Sequence, residues 1–133
     1  MRSILSKYLL PILFFAFVFL FGYILSRTGK PYNSLVFNFH KLIGLAMGVF
    51  LIVKVYQVYQ TGPFSPIQIL SLAITVLIFV ILVAAGGLLS AEASGDLKNI
   101  NQTTLAVISA VHKILPYLAL LATAGTFYLL FSH

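Results

Sequence analysis

The chain has 133 residues, of which 61% are hydrophobic and only 8% are charged, and its mean hydropathy is +1.08. A soluble domain carries roughly a quarter charged residues, so this chain has too few polar side chains to cover a water-exposed surface. It contains no cysteine, which excludes disulfides, lipoprotein attachment, iron–sulfur clusters and covalent c-type haem. We attribute the net charge of +6 to contact with anionic lipid headgroups rather than with nucleic acid.

Four uninterrupted apolar stretches predict helices that span a membrane. They cover residues 8–25, 35–59, 66–89 and 104–131. A helix needs about 17–25 residues to cross a hydrocarbon core of about 30 Å, whereas barrel strands would alternate in polarity and be about half as long. Arg2 and Lys7 precede the first stretch, as in a secretory signal, but no cleavage motif follows it, and we therefore expect a retained helix.

Short connections at residues 26–34, 60–66 and 90–103 join these stretches. Short loops place neighbouring helices antiparallel. The sequence therefore predicts an all-α polytopic membrane protein, an up-down-up-down four-helix transmembrane bundle that forms one domain over residues 1–133. Glu92 and Asp96, the two acidic residues, are expected in the third loop. We expect the protein to be embedded in a lipid bilayer, and specifically in the bacterial inner membrane.

An internal repeat of two helices is indicated by two matching segments. The dipeptide His40-Lys41 recurs as His112-Lys113, and the segment GYILSRTG at 22–29 resembles GGLLSAEASG at 86–95. The pattern predicts repeats over about 1–60 and 61–133, with the same orientation in the membrane. The second and fourth helices would then be parallel, and both histidines would lie at one membrane face and at similar depth.

His40 and His112 are the candidate ligands of a metal centre. An ionisable residue inside a membrane helix indicates a functional site. Adjacent helices pack 8–10 Å apart, so diagonal helices of a bundle lie about 11–14 Å apart. Two inward imidazoles across that diagonal would leave a gap suited to one iron in a flat macrocycle. The pattern therefore predicts one bis-histidine haem b.

Four neighbouring residues complete the predicted cofactor site. Gly44, one turn after His40, would leave room for the porphyrin. The corresponding residue after His112 is Pro116, which has no amide to donate to the carbonyl one turn earlier and should kink the helix. Lys41 and Lys113 would neutralise the haem propionates. Snorkelling to the headgroups also explains the lysines, and helix packing through small residues also explains the glycines, including Gly86 and Gly87.

A histidine followed by a basic residue, at the start of an apolar helix and again two helices later, resembles the small transmembrane b-type cytochromes. The chain also resembles small bacterial membrane proteins of similar appearance. The cytochrome resemblance implies electron transfer, with quinone or a redox protein as the partner. Di-haem members carry further histidines near the opposite membrane face, where this chain has Lys54 and Thr126. Because this chain departs from the di-haem pattern at those two residues, any haem would be single and would lie at one membrane face.

Two other functions are compatible with the same residues. The chain could be a structural or accessory subunit of a larger membrane complex, or a homo-oligomer, in which the histidines make hydrogen bonds between helices. It could also be a small transporter or proton pathway in which His40 and His112 titrate. No acid–base pair, activated nucleophile or phosphate-binding glycine loop is evident. We therefore expect no enzymatic activity from the chain alone, although it could serve as a redox subunit.

Overall fold

Four helices make up most of the chain in the computed structural model, which describes residues 2–132 and the side chains from Lys7 onward. They are α1 (Arg2–Thr28), α2 (Ser34–Tyr59), α3 (Pro66–Ala93) and α4 (Gln102–Phe131). The prediction of an all-α chain with four helices is confirmed. Each helix is long and apolar enough to cross a membrane, as the hydropathy of the sequence predicted.

The helices extend past the predicted apolar stretches because main-chain hydrogen bonding continues until a residue terminates it. Glu92, which was expected in a loop, lies in the last turn of α3, so that prediction was wrong. α3 ends at Ala93 and is followed by Ser94 and by Gly95, whose φ of 80° is left-handed. The amide of Gly95 donates to the Glu92 carbonyl, and the amide of Asp96 donates to the Ala91 carbonyl, the hydrogen-bond pair that closes many helices.

α1 ends in a related way. Gly29 has a φ of 67°, and its amide donates to the carbonyl of Leu25 over 3.1 Å. This end lies three residues beyond the predicted limit of the first apolar stretch because the polar residues 26–28 continue the helix. Both glycines belong to the two segments that resemble each other in sequence, and each terminates the first helix of a hairpin.

Side-chain caps determine where the later helices begin. Asn33 accepts hydrogen bonds from two amides in the first turn of α2, and Asn101 accepts one in α4. Ser65 and Gln68 form a reciprocal capping box at the start of α3, and Pro66 occupies the first helical position, where its missing amide costs nothing. These caps satisfy main-chain donors that would otherwise lack partners at the helix ends.

The chain forms two compact units, Met1–Thr61 and Gly62–His133, which we call unit 1 and unit 2. In unit 1, the Phe21 and Phe39 rings lie 6.0 Å apart near the loop, and those of Phe14 and Phe50 lie 5.7 Å apart further from it. Contacts that move away from the loop along both helices show that α1 and α2 are antiparallel. The prediction of one domain stays a prediction.

Unit 2 is also an antiparallel hairpin. Its α3 and α4 contact each other through small and hydroxyl-bearing residues, with Ala119 fully buried and Thr126 2% exposed. The outer faces of both units are apolar, as Ile52 at 71% exposure and Leu121 at 69% illustrate. Side chains of this kind are costly in water, and their exposure indicates contact with lipid.

Candidate functional site

His40 packs directly onto the backbone of the neighbouring helix in unit 1. The half-buried ring lies on α2, opposite Gly22 of α1. A Cβ atom on Gly22 would lie 3.1 Å from Cε1 of His40, 3.6 Å from Nδ1 and 3.9 Å from Nε2. The first of these distances is shorter than an ordinary van der Waals contact. The ring therefore occupies space that exists because residue 22 has no side chain.

A hydrogen bond to the main chain fixes the orientation of His40. Its Nδ1 atom lies 3.1 Å from the carbonyl oxygen of Val18, one helical turn before Gly22. A carbonyl oxygen only accepts, so Nδ1 carries the hydrogen and donates it. The same oxygen can also accept the intrahelical bond because it has two lone pairs. We call Val18, Gly22 and His40 the unit 1 seat.

His112 lies in an equivalent arrangement in unit 2. A Cβ atom on Gly86 of α3 would lie 2.9 Å from Cε1, 3.5 Å from Nδ1 and 3.7 Å from Nε2 of His112. The order of the three distances is the same as at His40, so the same edge of the ring approaches the glycine. The His112 ring also interacts with the main chain of Leu82, one turn before Gly86, although its buried Nδ1 atom makes no hydrogen bond like that of His40. We call Leu82, Gly86 and His112 the unit 2 seat.

The hydrogen bond at His40 has a chemical consequence for the opposite ring nitrogen. A neutral imidazole that donates from Nδ1 has its lone pair on Nε2. Histidines that bind metals commonly donate from one nitrogen to a carbonyl or carboxylate and bind the metal with the other. The donor set therefore fits an axial ligand of haem. In the part of the chain that the structure describes, no group of three or more acidic or histidine side chains could hold a metal ion by itself.

The other predicted site residues lie on the same two helices as the histidines. Gly44 follows His40 by one turn, and a Cβ atom there would meet no atom within 4 Å. Pro116 follows His112 by one turn and is half-buried inside α4. Lys41 and Lys113 are exposed, and the Lys41 ammonium lies 4.5 Å from the centre of the Phe37 ring.

A cluster of hydroxyl groups occupies the far end of unit 2. The Ser71 and Thr126 hydroxyls lie 2.6 Å apart, and those of Thr75 and Thr126 lie 2.9 Å apart. The side-chain amide of Gln68 (Nε2) donates to the main-chain carbonyl of Leu129 over 2.9 Å. The side chain of Thr126 therefore holds the two helices of unit 2 together.

Unit 1 has a lysine at the corresponding place. The ammonium of Lys54 donates to the side-chain oxygen of Gln57 over 3.4 Å and lies 5.5 Å from the centre of the Phe50 ring. An ammonium has no lone pair with which to bind iron. Neither Lys54 nor Thr126 is therefore a haem ligand of the usual kind, and the candidate chemistry of the chain concentrates at the two seats.

Four residues of the seats were not predicted as site residues from the sequence. Val18 and Leu82 contribute main-chain atoms, which no side-chain pattern reveals. Gly22 was noted only as the start of a matching segment, and Gly86 was interpreted as helix packing. Their equivalent positions in the segments at 22–29 and 86–95 were the available signal, since both segments begin with the glycine that contacts a histidine.

Comparisons with protein-family models, curated proteins and solved structures give no match. The class of the protein is therefore described from its own fold and from the two seats. The chain is an all-helical protein with four helices able to span a membrane. Each of its two hairpins holds one histidine against a glycine of the preceding helix.

Proposed function

We propose that the chain is an integral membrane electron-transfer protein, or a subunit of one, that binds a single haem b through His40 and His112. The supporting observation is that both imidazoles lie against a glycine in the same way. The hydrogen bond from Nδ1 of His40 to the Val18 carbonyl leaves the lone pair on Nε2, where iron would bind. Two equivalent neutral imidazoles are the axial ligands that a low-spin haem b requires.

We further propose that the chain is a duplicated hairpin with up-down-up-down topology. The residues of the two seats correspond in order and in helix position, and the loop is longer in the second hairpin. Tyr56 and Tyr128, equally spaced from their histidines, are 61% and 69% exposed. The short connection between α2 and α3 favours antiparallel neighbours. Both histidines would then be at the same membrane face, and we propose the bacterial inner membrane as the location of the protein.

Haem would supply reversible one-electron chemistry at a potential set by its axial ligands and surroundings. The residues of the chain would bind and orient it. The Val18 carbonyl orients the His40 ring, the open space at Gly44 would admit the edge of the macrocycle, and the exposed Lys41 and Lys113 would neutralise the propionates. Pro116 frees the carbonyl of His112 from its intrahelical bond. Haem would sit at one membrane face, and its partner, quinone or a redox protein, would act there.

The visible absorption spectrum of the purified protein tests this proposal. We expect a Soret band and reduced α and β bands, with about one haem per chain, after expression in haem-replete cells or titration with hemin. His40→Ala and His112→Ala should each abolish the low-spin spectrum. Lys54→Gln, at the far end of unit 1, is the matched control and should retain it. A wild-type protein that stays colourless under both conditions would overturn the proposal.

A second function, that of a structural or accessory subunit, is favoured by the bond from Nδ1 of His40 to the Val18 carbonyl, which joins two helices over 3.1 Å. In this function the histidines would only hold each hairpin together. The variant His40→Gln separates the two functions, because glutamine keeps a donor but is a poor haem ligand. Loss of the spectrum with retained thermal stability supports haem binding. A wild-type protein without haem that is destabilised by His40→Ala supports the structural function.

A further inference from the structure

We infer that Gly22 and Gly86 are positioning residues that hold His40 and His112 as the tautomer with hydrogen on Nδ1 before any ligand binds. This inference deepens the proposed function by naming what orients the ligands. It rests on that proposal for the link to haem, but the tautomer itself is a property of the protein alone.

Access of the His40 ring to the backbone of α1 depends on Gly22. In an α-helix the side chains of most residues cover the carbonyl oxygens from the side. Because Gly22 has no side chain, the His40 ring reaches the carbonyl of Val18 one turn earlier. An alanine at residue 22 would put a Cβ atom 3.1 Å from Cε1 of His40. The ring would have to move away from the helix, and the hydrogen bond would lengthen.

The second seat supports the same reasoning with a closer contact. At Gly86 an added Cβ atom would lie 2.9 Å from Cε1 of His112, a distance that forces a shift of the ring or the helix. The buried Nδ1 atom of His112 makes no hydrogen bond like that of His40, but the ring interacts with the main chain of Leu82, one turn before Gly86. By equivalence with His40, we assign the ring hydrogen to Nδ1. The lone pair of each ring then lies on Nε2, and the haem iron would bind there without a change of tautomer.

Nitrogen NMR of histidine-labelled protein without haem tests the inference. At about pH 8.5, where an ordinary imidazole is neutral, we expect both rings of the wild type to show a protonated Nδ1 and an unprotonated Nε2. The free ring in water favours the opposite tautomer. A protonated Nε2 on either ring of the wild type would overturn the assignment at that seat.

Two glycine variants test the positioning role in a crossed design. Gly22→Ala should lower the tautomer ratio of His40 about fivefold, the change expected from loss of one neutral hydrogen bond, and should leave His112 unchanged. Gly86→Ala should do the reverse. The histidine of the unaltered seat reports in the same sample that the protein is folded. Gly87→Ala, where a Cβ atom would meet nothing within 4 Å, should change neither ring.

The outcomes for the two proposals are distinguishable. If Gly22→Ala leaves the tautomer of His40 intact, the positioning role of Gly22 is wrong, whether or not haem binds. If the tautomers respond as expected and the wild type binds no haem, the seats are real but the haem proposal fails. The second result would leave the seats as devices that join helices.

Discussion

The imidazole of His112 lies so close to Gly86 that a Cβ atom added to the glycine would lie 2.9 Å from Cε1 of the ring. A Cβ atom added to Gly22 would lie 3.1 Å from Cε1 of His40. The same contact thus occurs twice, slightly tighter in unit 2. A histidine that fills the space of a missing side chain is a packing relationship as well as a chemical one. The free energy of unfolding should therefore respond to substitutions at the two glycines in a graded way.

We expect Gly86→Ala to destabilise the protein by about 1–3 kcal/mol, the usual cost of inserting a methyl group into a close-packed contact. Gly22→Ala should cost less, because a shift of a few tenths of an ångström relieves its contact. Unfolding in mixed detergent micelles, followed by circular dichroism, measures the difference. Gly87→Ala is the control and should be neutral or slightly stabilising, because alanine favours a helix more than glycine does. A larger effect at Gly87 than at Gly86 would contradict the close contact at the seat.

The hydroxyl cluster of unit 2 predicts that substitutions at Thr126 and Thr123, two buried threonines of α4, change the free energy of unfolding differently. Thr126→Val removes the hydroxyl that bonds to those of Ser71 and Thr75. We expect a loss of about 0.5–2 kcal/mol, as for other hydrogen bonds between membrane helices. The same unfolding measurement applies.

Thr123→Val provides the matched control for that prediction. Thr123 is 3% exposed, and its hydroxyl has no hydrogen-bond partner among the described residues. Replacing an unsatisfied buried hydroxyl with a methyl group of similar size should be neutral or stabilising. If Thr123→Val is as costly as Thr126→Val, the cluster contributes nothing specific to the stability of the hairpin.

The left-handed end of α3 predicts that Gly95→Ala destabilises the hairpin. With φ at 80°, an alanine at residue 95 would be strained by about 1 kcal/mol or more. The strain should appear as faster amide hydrogen exchange in the last turn of α3, since the two closing bonds would open. Gly62→Ala is the comparison, because a Cβ atom there would meet no atom within 4 Å and its φ is not in that region. Equal exchange in both variants would exclude the role of the glycine.

The open space at Gly44 predicts a substitution that separates folding from cofactor binding. Gly44→Val should leave the stability of the apo protein almost unchanged, because no atom lies within 4 Å of its Cβ position. If that space receives the macrocycle, haem affinity should fall at least tenfold in a hemin titration. Gly125→Val, which also enters open space but lies on α4 away from His112, should bind normally. Normal haem binding by Gly44→Val would remove Gly44 from the site.

The sequence was sufficient to predict the number, type and approximate centres of the helices, because a helix that crosses hydrocarbon needs a long apolar stretch. The ends were less predictable. Polar residues such as Arg27 and Glu92 continue their helices, and only the following left-handed glycine terminates each one. Hydropathy indicates whether a segment lies in lipid or in water, whereas the residue at which a helix ends depends on local hydrogen bonding.

The sequence was sufficient to select His40 and His112 as candidate site residues, since ionisable groups inside apolar helices are rare. The neighbours that hold the rings were not, because a main-chain carbonyl is present at every residue. The accessibility of Val18 depends on a glycine one turn later and on the register of two helices. Periodicity in one segment carries no information about that register. The two matching segments carried some of this information, since one begins with Gly22 and the other with Gly86.

Because His40 hydrogen-bonds to a main-chain oxygen, the side chain of Val18 is not part of that bond. Saturation mutagenesis at residue 18 should therefore tolerate most apolar residues, whereas Gly22 should tolerate almost none. Such an arrangement lets the side-chain composition of α1 change at residue 18 while the orientation of the His40 ring is kept.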